Sequence, residues 1–301
     1  MLFQDPMIKI EIDPGAGFCF GVEEVIKTAE KHLRNGEVLY GLGDMVHNTT
    51  EMKRLQMLGL KTIDLSQLSA LPRGKVLFRA HGEPPDTYKT AKQYGVEVID
   101  GTCPIVASLQ RKLKKAYDAM DHSKEQLVIF GKPTHPETIG LLGQVNGDAL
   151  VLSSVKDISL IDPGKRVLLF SQTTMDPEQF REVERALEVH LQKGSGEKPH
   201  INFRSDCTIC GQMKKRKPRL TAFAPKFDLI LFVSGKNSSN GKMLYEYCKS
   251  LNPVTYWISG SEEVEKQWLE GCESIGISGA TSTSRAQLES VLEQAKKLTA
   301  S

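Results

Sequence analysis

The run "FDLILFVSG" (227–235) carries five consecutive large apolar residues, Leu229 to Val233. A strand with no polar face must be covered on both sides, as strands of parallel sheets are. The same signature recurs at "EVLYGLG" (37–43), "KVLFRAH" (75–81), "VEVIDGT" (96–102), "QLVIFG" (126–131), "RVLLFS" (166–171) and "SIGISG" (274–279). Amphipathic helical patterns lie between these runs. "GVEEVIKTAEKHL" puts Val22, Val25, Ile26, Ala29 and Leu33 on one stripe, and "PIVASLQRKLKKAY" does so with Ile105, Val106, Leu109, Leu113 and Tyr117. Alternating strands and helices predict an α/β fold with mainly parallel sheets. The 301 residues exceed one ordinary core and predict two or three domains, with "LQKGSGEKPHINF" (191–203) as a linker.

Composition narrows the class. The chain is 40% hydrophobic and 25% charged, as soluble globular proteins are, and its net charge of +2 argues against a dedicated nucleic-acid binder. No apolar run approaches the roughly 18 residues that span a membrane. The opening "MLFQDPMIKI" lacks the basic and apolar regions of a signal peptide, which predicts a cytoplasmic protein. Six cysteines in that setting are expected as reduced thiols, available for metal or catalysis.

Ligands of open α/β sheets bind beyond the carboxyl ends of the strands. There the sequence places His47 and Asn48, His81, Cys103, His135 and Glu137, Thr173 and Thr174, Ser238, Ser239 and Asn240, and Thr281 and Ser282. A single histidine at a strand end is usually a loop residue; seven such ends carrying functional side chains are a pattern. Cys19, Cys103 and the Cys207/Cys210 pair fall one per third of the chain, and Cys19 and Cys103 each precede a predicted helix. Helix N-termini favour thiolates, the ligating form. Three soft ligands suit an iron–sulfur cluster with one open iron, or zinc. Cys248 and Cys272 read as packing residues.

Other features read as decoys. "GAGFCFG" lacks dinucleotide-fingerprint spacing, and "GKNSSNGK" departs from a P-loop and reads instead as a Ser/Asn-rich anion loop at a strand end, where hydroxyls, amides and helix N–H groups can hold a phosphate. "KKRK" (214–217) reads as a solvated basic face, with docking of an acidic electron donor as the alternative.

The stretches "GFCFGV", "VHN", "AHG", "TCP", "HPE", "SQTT", "TIC", "SGKNSSN" and "SGATST" together resemble the 4-hydroxy-3-methylbut-2-enyl diphosphate reductase (LytB) family, in the family's order from about Ile10 to Leu298. The resemblance implies three similar α/β lobes in pseudo-threefold arrangement around a central [4Fe-4S] cluster, here 7–103, 104–203 and 204–301. It implies Cys19, Cys103 and Cys210 as cluster ligands. His47, His81, His135, Thr173, Ser238, Ser239, Asn240 and Ser282 or Thr281 would hold the substrate diphosphate, and Glu137, with Thr173 and His135, would serve the proton path. The implied reaction is two-electron reductive dehydroxylation of the allylic diphosphate to isopentenyl and dimethylallyl diphosphate, with ferredoxin or flavodoxin as electron donor. Phe18 and Phe20 would wall the cluster. Gln212 and Met213 stand where the family commonly has Ala-Thr, and the last motif carries one extra residue. A quinolinate-synthase-like enzyme and an iron–sulfur or zinc sensor are the competing readings; "HPE" and "GKNSSN" favour a diphosphate substrate over the first, and the second would not need three strand-end histidines and a carboxylate at one edge.

Overall fold

The structure, a computed structural model, describes residues 8–71, 74–194, 203–236 and 238–300; the side chains of 193, 194 and 239 lie outside that description. In chain order the elements are β1 (Lys9–Ile12), α1 (Phe20–Arg34), β2 (Leu39–Leu42), α2 (Thr49–Met57), β3 (Lys61–Ile63), β4 (Lys75–Phe78), α3 (Pro85–Gln93) and β5 (Glu97–Asp100). There follow α4 (Pro104–Ala119), β6 (Glu125–Phe130), α5 (Pro136–Gln144), β7 (Leu150–Leu152), β8 (Arg166–Ser171), α6 (Pro177–Gly194) and β9 (Phe203–Ser205). The last are α7 (Gly211–Phe223), β10 (Leu229–Val233), α8 (Ser239–Leu251), β11 (Thr255–Ile258), α9 (Lys266–Leu269), β12 (Ser274–Gly279) and α10 (Arg285–Thr299). The strands form three four-stranded sheets, in line with the parallel α/β fold that the alternating pattern predicts and the three lobes that the resemblance implies. Among the described residues no helix is long and apolar enough to cross a membrane. The expected linker begins as helix, since 191–194 extend α6, and 195–202 lie outside the described residues.

The chain divides into two compact units, Met1–Thr62 with Lys215–Ser301, and Ile63–Lys214. In the first, the sheet order is β1-β12-β10-β11, with parallel pairing throughout. Strand β10 is covered on both faces, as its apolar run requires. Leu229, Leu231 and Val233 pack with Ile275, Ile277 and the Leu288, Val291 and Ala295 stripe of α10. Ile230 and Phe232 pack the other way, against Leu220, Phe223, Leu244 and Cys248. Each such buried side chain contributes about 1.5–3 kcal/mol. The packing role expected for Cys248 holds, and burial pushes its thiol up to about 11. Cys272, half-buried, packs against the α10 side of the sheet.

In the second unit the sheet order is β7-β6-β8-β9, again parallel, and β4 pairs in parallel with β5. Leu109 and Leu113 of α4 and Leu141 of α5 bury against Leu127, Ile129, Leu168 and Phe170. Helices α3, α4, α5 and α6 all begin at a proline. Proline suits the first helical position and holds the residue before it extended. Cys103 (φ −56°, ψ 132°) and His135 (φ −74°, ψ 135°) occupy that preceding position.

Register brings the functional loops together. Val233 lies beside Gly279 and Ile12 beside Ile277, so the chain leaves β1, β10 and β12 at one edge. Phe130 lies beside Ser171, and Phe78 beside Asp100, which does the same in the second unit.

Candidate active site

In the unit of residues 1–62 and 215–301, Cys19 heads helix α1, half-buried. Its N–H donates to the Thr281 carbonyl (3.2 Å) and its carbonyl accepts from Glu23 N (3.0 Å). The loop before it is pinned to β12: Asp13 N donates to the Ile277 carbonyl (2.8 Å), and Ser278 Oγ donates to Asp13 Oδ2 (2.8 Å). Arg216, expected within a solvated basic face, is instead 3% exposed, with a guanidinium N–H donating to the Gly279 carbonyl. Burial holds its pKa below the usual arginine value, while the Asp13 carboxylate and Cys19 oppose that shift. The two phenylalanines do not both form a dry wall: Phe18 is half-buried, but Phe20 begins the helix with its side chain 56% exposed.

The same unit gathers the polar residues of the β10 and β12 loops. Ser238 caps α8, its Oγ accepting from Gly241 N (3.0 Å) and lying 3.3 Å from Ser282 Oγ. Asn240 Nδ2 donates to Thr281 Oγ1 (2.5 Å), and Asn240 Oδ1 is buried with no hydrogen-bond partner. Ser282 and Thr281 therefore both face this loop. The Ser239 side chain lies outside the described residues. His47, half-buried, ends the β2 loop; a Cβ on Gly235 would meet the His47 carbonyl at 3.2 Å, so glycine there permits close approach. The pattern did not single out the work of Asn48. Its Oδ1 caps α2 at Glu51 N (3.1 Å), and its Nδ2 donates to the Ser282 carbonyl and to Gln287 Oε1 (both 2.8 Å), fixing the phosphate-loop candidate from behind.

In the unit of residues 63–214, Glu137 is 1% exposed. Its Oε1 accepts from Thr173 N (2.6 Å) and its Oε2 from Thr173 Oγ1 (2.7 Å). Burial outweighs both bonds and pushes its carboxyl up to about 7. The Thr173 carbonyl accepts from Cys210 N (2.8 Å), so one residue joins the acid to the cysteine that immediately precedes α7. Thr208 and Ile209 anchor that segment: Thr208 Oγ1 bonds both backbone groups of Ser171, and Ile209 is buried. Cys207 is left exposed. Cys103 caps α4 from the β5 loop, with its N–H on the Ala80 carbonyl (3.1 Å). Met213 is buried and Gln212 exposed, so the two residues that depart from the family's Ala-Thr have different surroundings.

His81 and His135 meet edge to face, ring centroids 5.1 Å apart. His135 Nδ1 accepts from Glu137 N (3.2 Å), which leaves its proton on Nε2 as a donor. Glycines make this meeting possible. A Cβ on Gly140 would sit 2.9 Å from the Gly82 carbonyl oxygen, and one on Gly143 2.5 Å from Pro84 Cβ. Helix α5 thus packs at backbone distance on the turn that follows His81. Gly140→Ala is expected to cost about 1–3 kcal/mol by overpacking and to raise KM by separating the two rings. Thermal melting and substrate titration check this; an unchanged melting temperature and KM would contradict it.

Comparison with known proteins gives one answer. Residues 10–296 match the family described as LytB protein. The chain is 44% identical over 290 residues to the 4-hydroxy-3-methylbut-2-enyl diphosphate reductase of Bacteroides fragilis, covering 96% of this chain and 98% of that one. It is 45% identical over 294 residues to the Porphyromonas gingivalis enzyme of the same name, covering 97% and 100%. A solved (E)-4-hydroxy-3-methyl-but-2-enyl diphosphate reductase superposes with a TM-score of 0.72 at 32% identity, over 97% of this chain and 100% of that one. A Plasmodium falciparum reductase structure superposes with a TM-score of 0.80 at 23% identity, over 96% and 88%, and bears on the fold alone.

Proposed function

The chain belongs to the LytB protein family and is a 4-hydroxy-3-methylbut-2-enyl diphosphate reductase of the non-mevalonate isoprenoid pathway, and we propose how its residues divide that work. The family is iron–sulfur dependent. Cys19, Cys103 and Cys210 fit such a group by their chemistry: each is a half-buried cysteine directly before a helix, where the N–H groups of the first turn favour a negative ligand. When bound, a [4Fe-4S] cluster on these three thiolates would supply electrons and a cysteine-free, Lewis-acid iron for the substrate hydroxyl.

The observation that carries the proton path is Glu137, a buried carboxyl whose pKa near 7 keeps it substantially protonated at neutral pH. It would protonate the departing hydroxyl, which leaves as water, with the Thr173 hydroxyl at 2.7 Å oriented to relay the proton and His135 adjoining through the Glu137 N–H. Two electrons and two protons balance the exchange of an allylic C–O bond for a C–H bond. His47, His81 and His135 would donate imidazole N–H groups to the diphosphate. Ser238, Ser239, Asn240 and Ser282, or Thr281 in its place, would complete that grip at the start of α8. Turning the Asn240 amide over would let Thr281 donate to Oδ1 and free Nδ2 for a phosphate oxygen.

Ferredoxin or flavodoxin serves as electron donor in this reading, because the sequence carries no nucleotide or flavin motif of its own. Lobes of 7–103, 104–203 and 204–301 and a cytoplasmic setting complete it; six cysteines, none in a disulfide, support that setting.

An anaerobic assay with 4-hydroxy-3-methylbut-2-enyl diphosphate and reduced methyl viologen tests the whole. Formation of isopentenyl and dimethylallyl diphosphate by protein holding four irons is the expected result. One zinc and no diphosphate affinity would overturn it.

A further inference from the structure

Helix α4 carries Arg111, Lys112, Lys114 and Lys115, all exposed, within about a turn and a half. Lys112 pairs with Asp206 and Lys114 with Asp118. Arg111 and Lys115 have no ion pair among the described residues. They stand four apart on one face, a like-charge spacing that weakens a helix and serves nothing inside the unit. With Lys114 they line an open groove of about 490 Å³, completed by Asp118, Ala119 and Gln144.

The place of this ridge matters as much as its charge. Helix α4 starts directly after Cys103, and Arg111 lies eight residues on from that cysteine, about 12 Å along the axis. The Lys112–Asp206 pair fastens the middle of α4 to the segment that ends at Cys210. Lys214, also exposed, donates to the Cys207 carbonyl at 3.4 Å and extends positive charge past the same segment.

We propose that the α4 ridge, centred on Arg111 and Lys115, is the docking surface for an acidic one-electron carrier protein. The inference rests on the reading that a ferredoxin or flavodoxin is the donor. Two carriers, each giving up one electron, meet the demand of one turnover. Transient redox encounters use small interfaces, and opposite charge speeds them by steering more than by affinity. The overall charge of only +2 sets a local cluster of four cations apart from a general basic surface such as a polyanion would need.

The test is the double variant Arg111→Glu/Lys115→Glu of the cluster-loaded enzyme, assayed with reduced flavodoxin, with reduced ferredoxin and with reduced methyl viologen. Carrier-driven kcat/KM is expected to fall about tenfold or more at low ionic strength, with the gap closing as salt screens the field. Viologen-driven turnover should stay within about twofold of wild type, since a small reductant does not depend on steering by the ridge. Unchanged carrier-driven rates, or equal losses with carrier and viologen, would overturn the docking surface. If viologen but neither carrier reduces the unsubstituted enzyme, the donor reading itself fails and the surface falls with it. A wild type inactive with every reductant would instead count against the reductase assignment.

Discussion

Glu137→Gln is expected to lower turnover by about 10²–10⁴-fold while leaving the visible spectrum and substrate binding intact. The substitution preserves shape, so the surviving amide oxygen can still accept from Thr173 N, and the new NH₂ can donate to Thr173 Oγ1. Only the transferable proton is lost. The pH dependence gives a second readout. The folded carboxyl titrates near 7 rather than at its ordinary 4.5 because it is buried, so the wild-type rate should fall as pH rises through about 7. Stability follows the same sign. Between about 4.5 and 7 the native state holds a proton that the unfolded state has released, so stability falls as pH rises across that window. The Gln variant should lack both slopes. Near-normal turnover in it, or an unaltered pH profile, would take Glu137 off the proton path.

Why part of this was legible in the sequence follows from where each strand lies. In the two sheets ordered β1-β12-β10-β11 and β7-β6-β8-β9, the runs that stood out became the central strands β6, β8, β10 and β12. The edge strands β1, β7, β9 and β11 escaped notice because they are only three or four residues long, and "KIEI" alternates in exposure besides. An edge strand needs less apolar cover, so its pattern is weaker. The candidate site residues were legible for a related reason: within each sheet, parallel register sends successive strand ends to one edge, where the motifs that follow them begin. What pattern could not show was packing in the third dimension. "KKRK" looks uniform, yet the helical turn of α7 buries Arg216 under the Gly279 carbonyl while Lys214 and Lys215 stay exposed. Gly140 and Gly143 gave no signal at all, because their meaning lies in a backbone approach to Gly82 and Pro84. Phe20 sat beside Cys19 in sequence, but the start of α1 turned it outward.

Cys103→Ser is expected to abolish the brown chromophore and with it all measurable turnover. Serine offers a harder, more basic oxygen that binds iron–sulfur centres poorly where thiolate binds well. Misfolding does not compete as an explanation, because position 103 is the N-cap of α4 and serine is among the best residues there. The variant should therefore melt at or slightly above the temperature of the cluster-free wild type while staying colourless. Cys210→Ser should behave likewise. Cys207→Ser provides the contrast: Cys207 lies four residues before the start of α7, exposed, and its loss should leave colour and turnover unchanged. An unchanged visible spectrum in Cys103→Ser would remove that residue from the ligand set. Bleaching of Cys207→Ser with colour retained in Cys210→Ser would move the third ligand to the other end of "CTIC", away from the backbone bond that ties Cys210 to Thr173 and so to the buried acid.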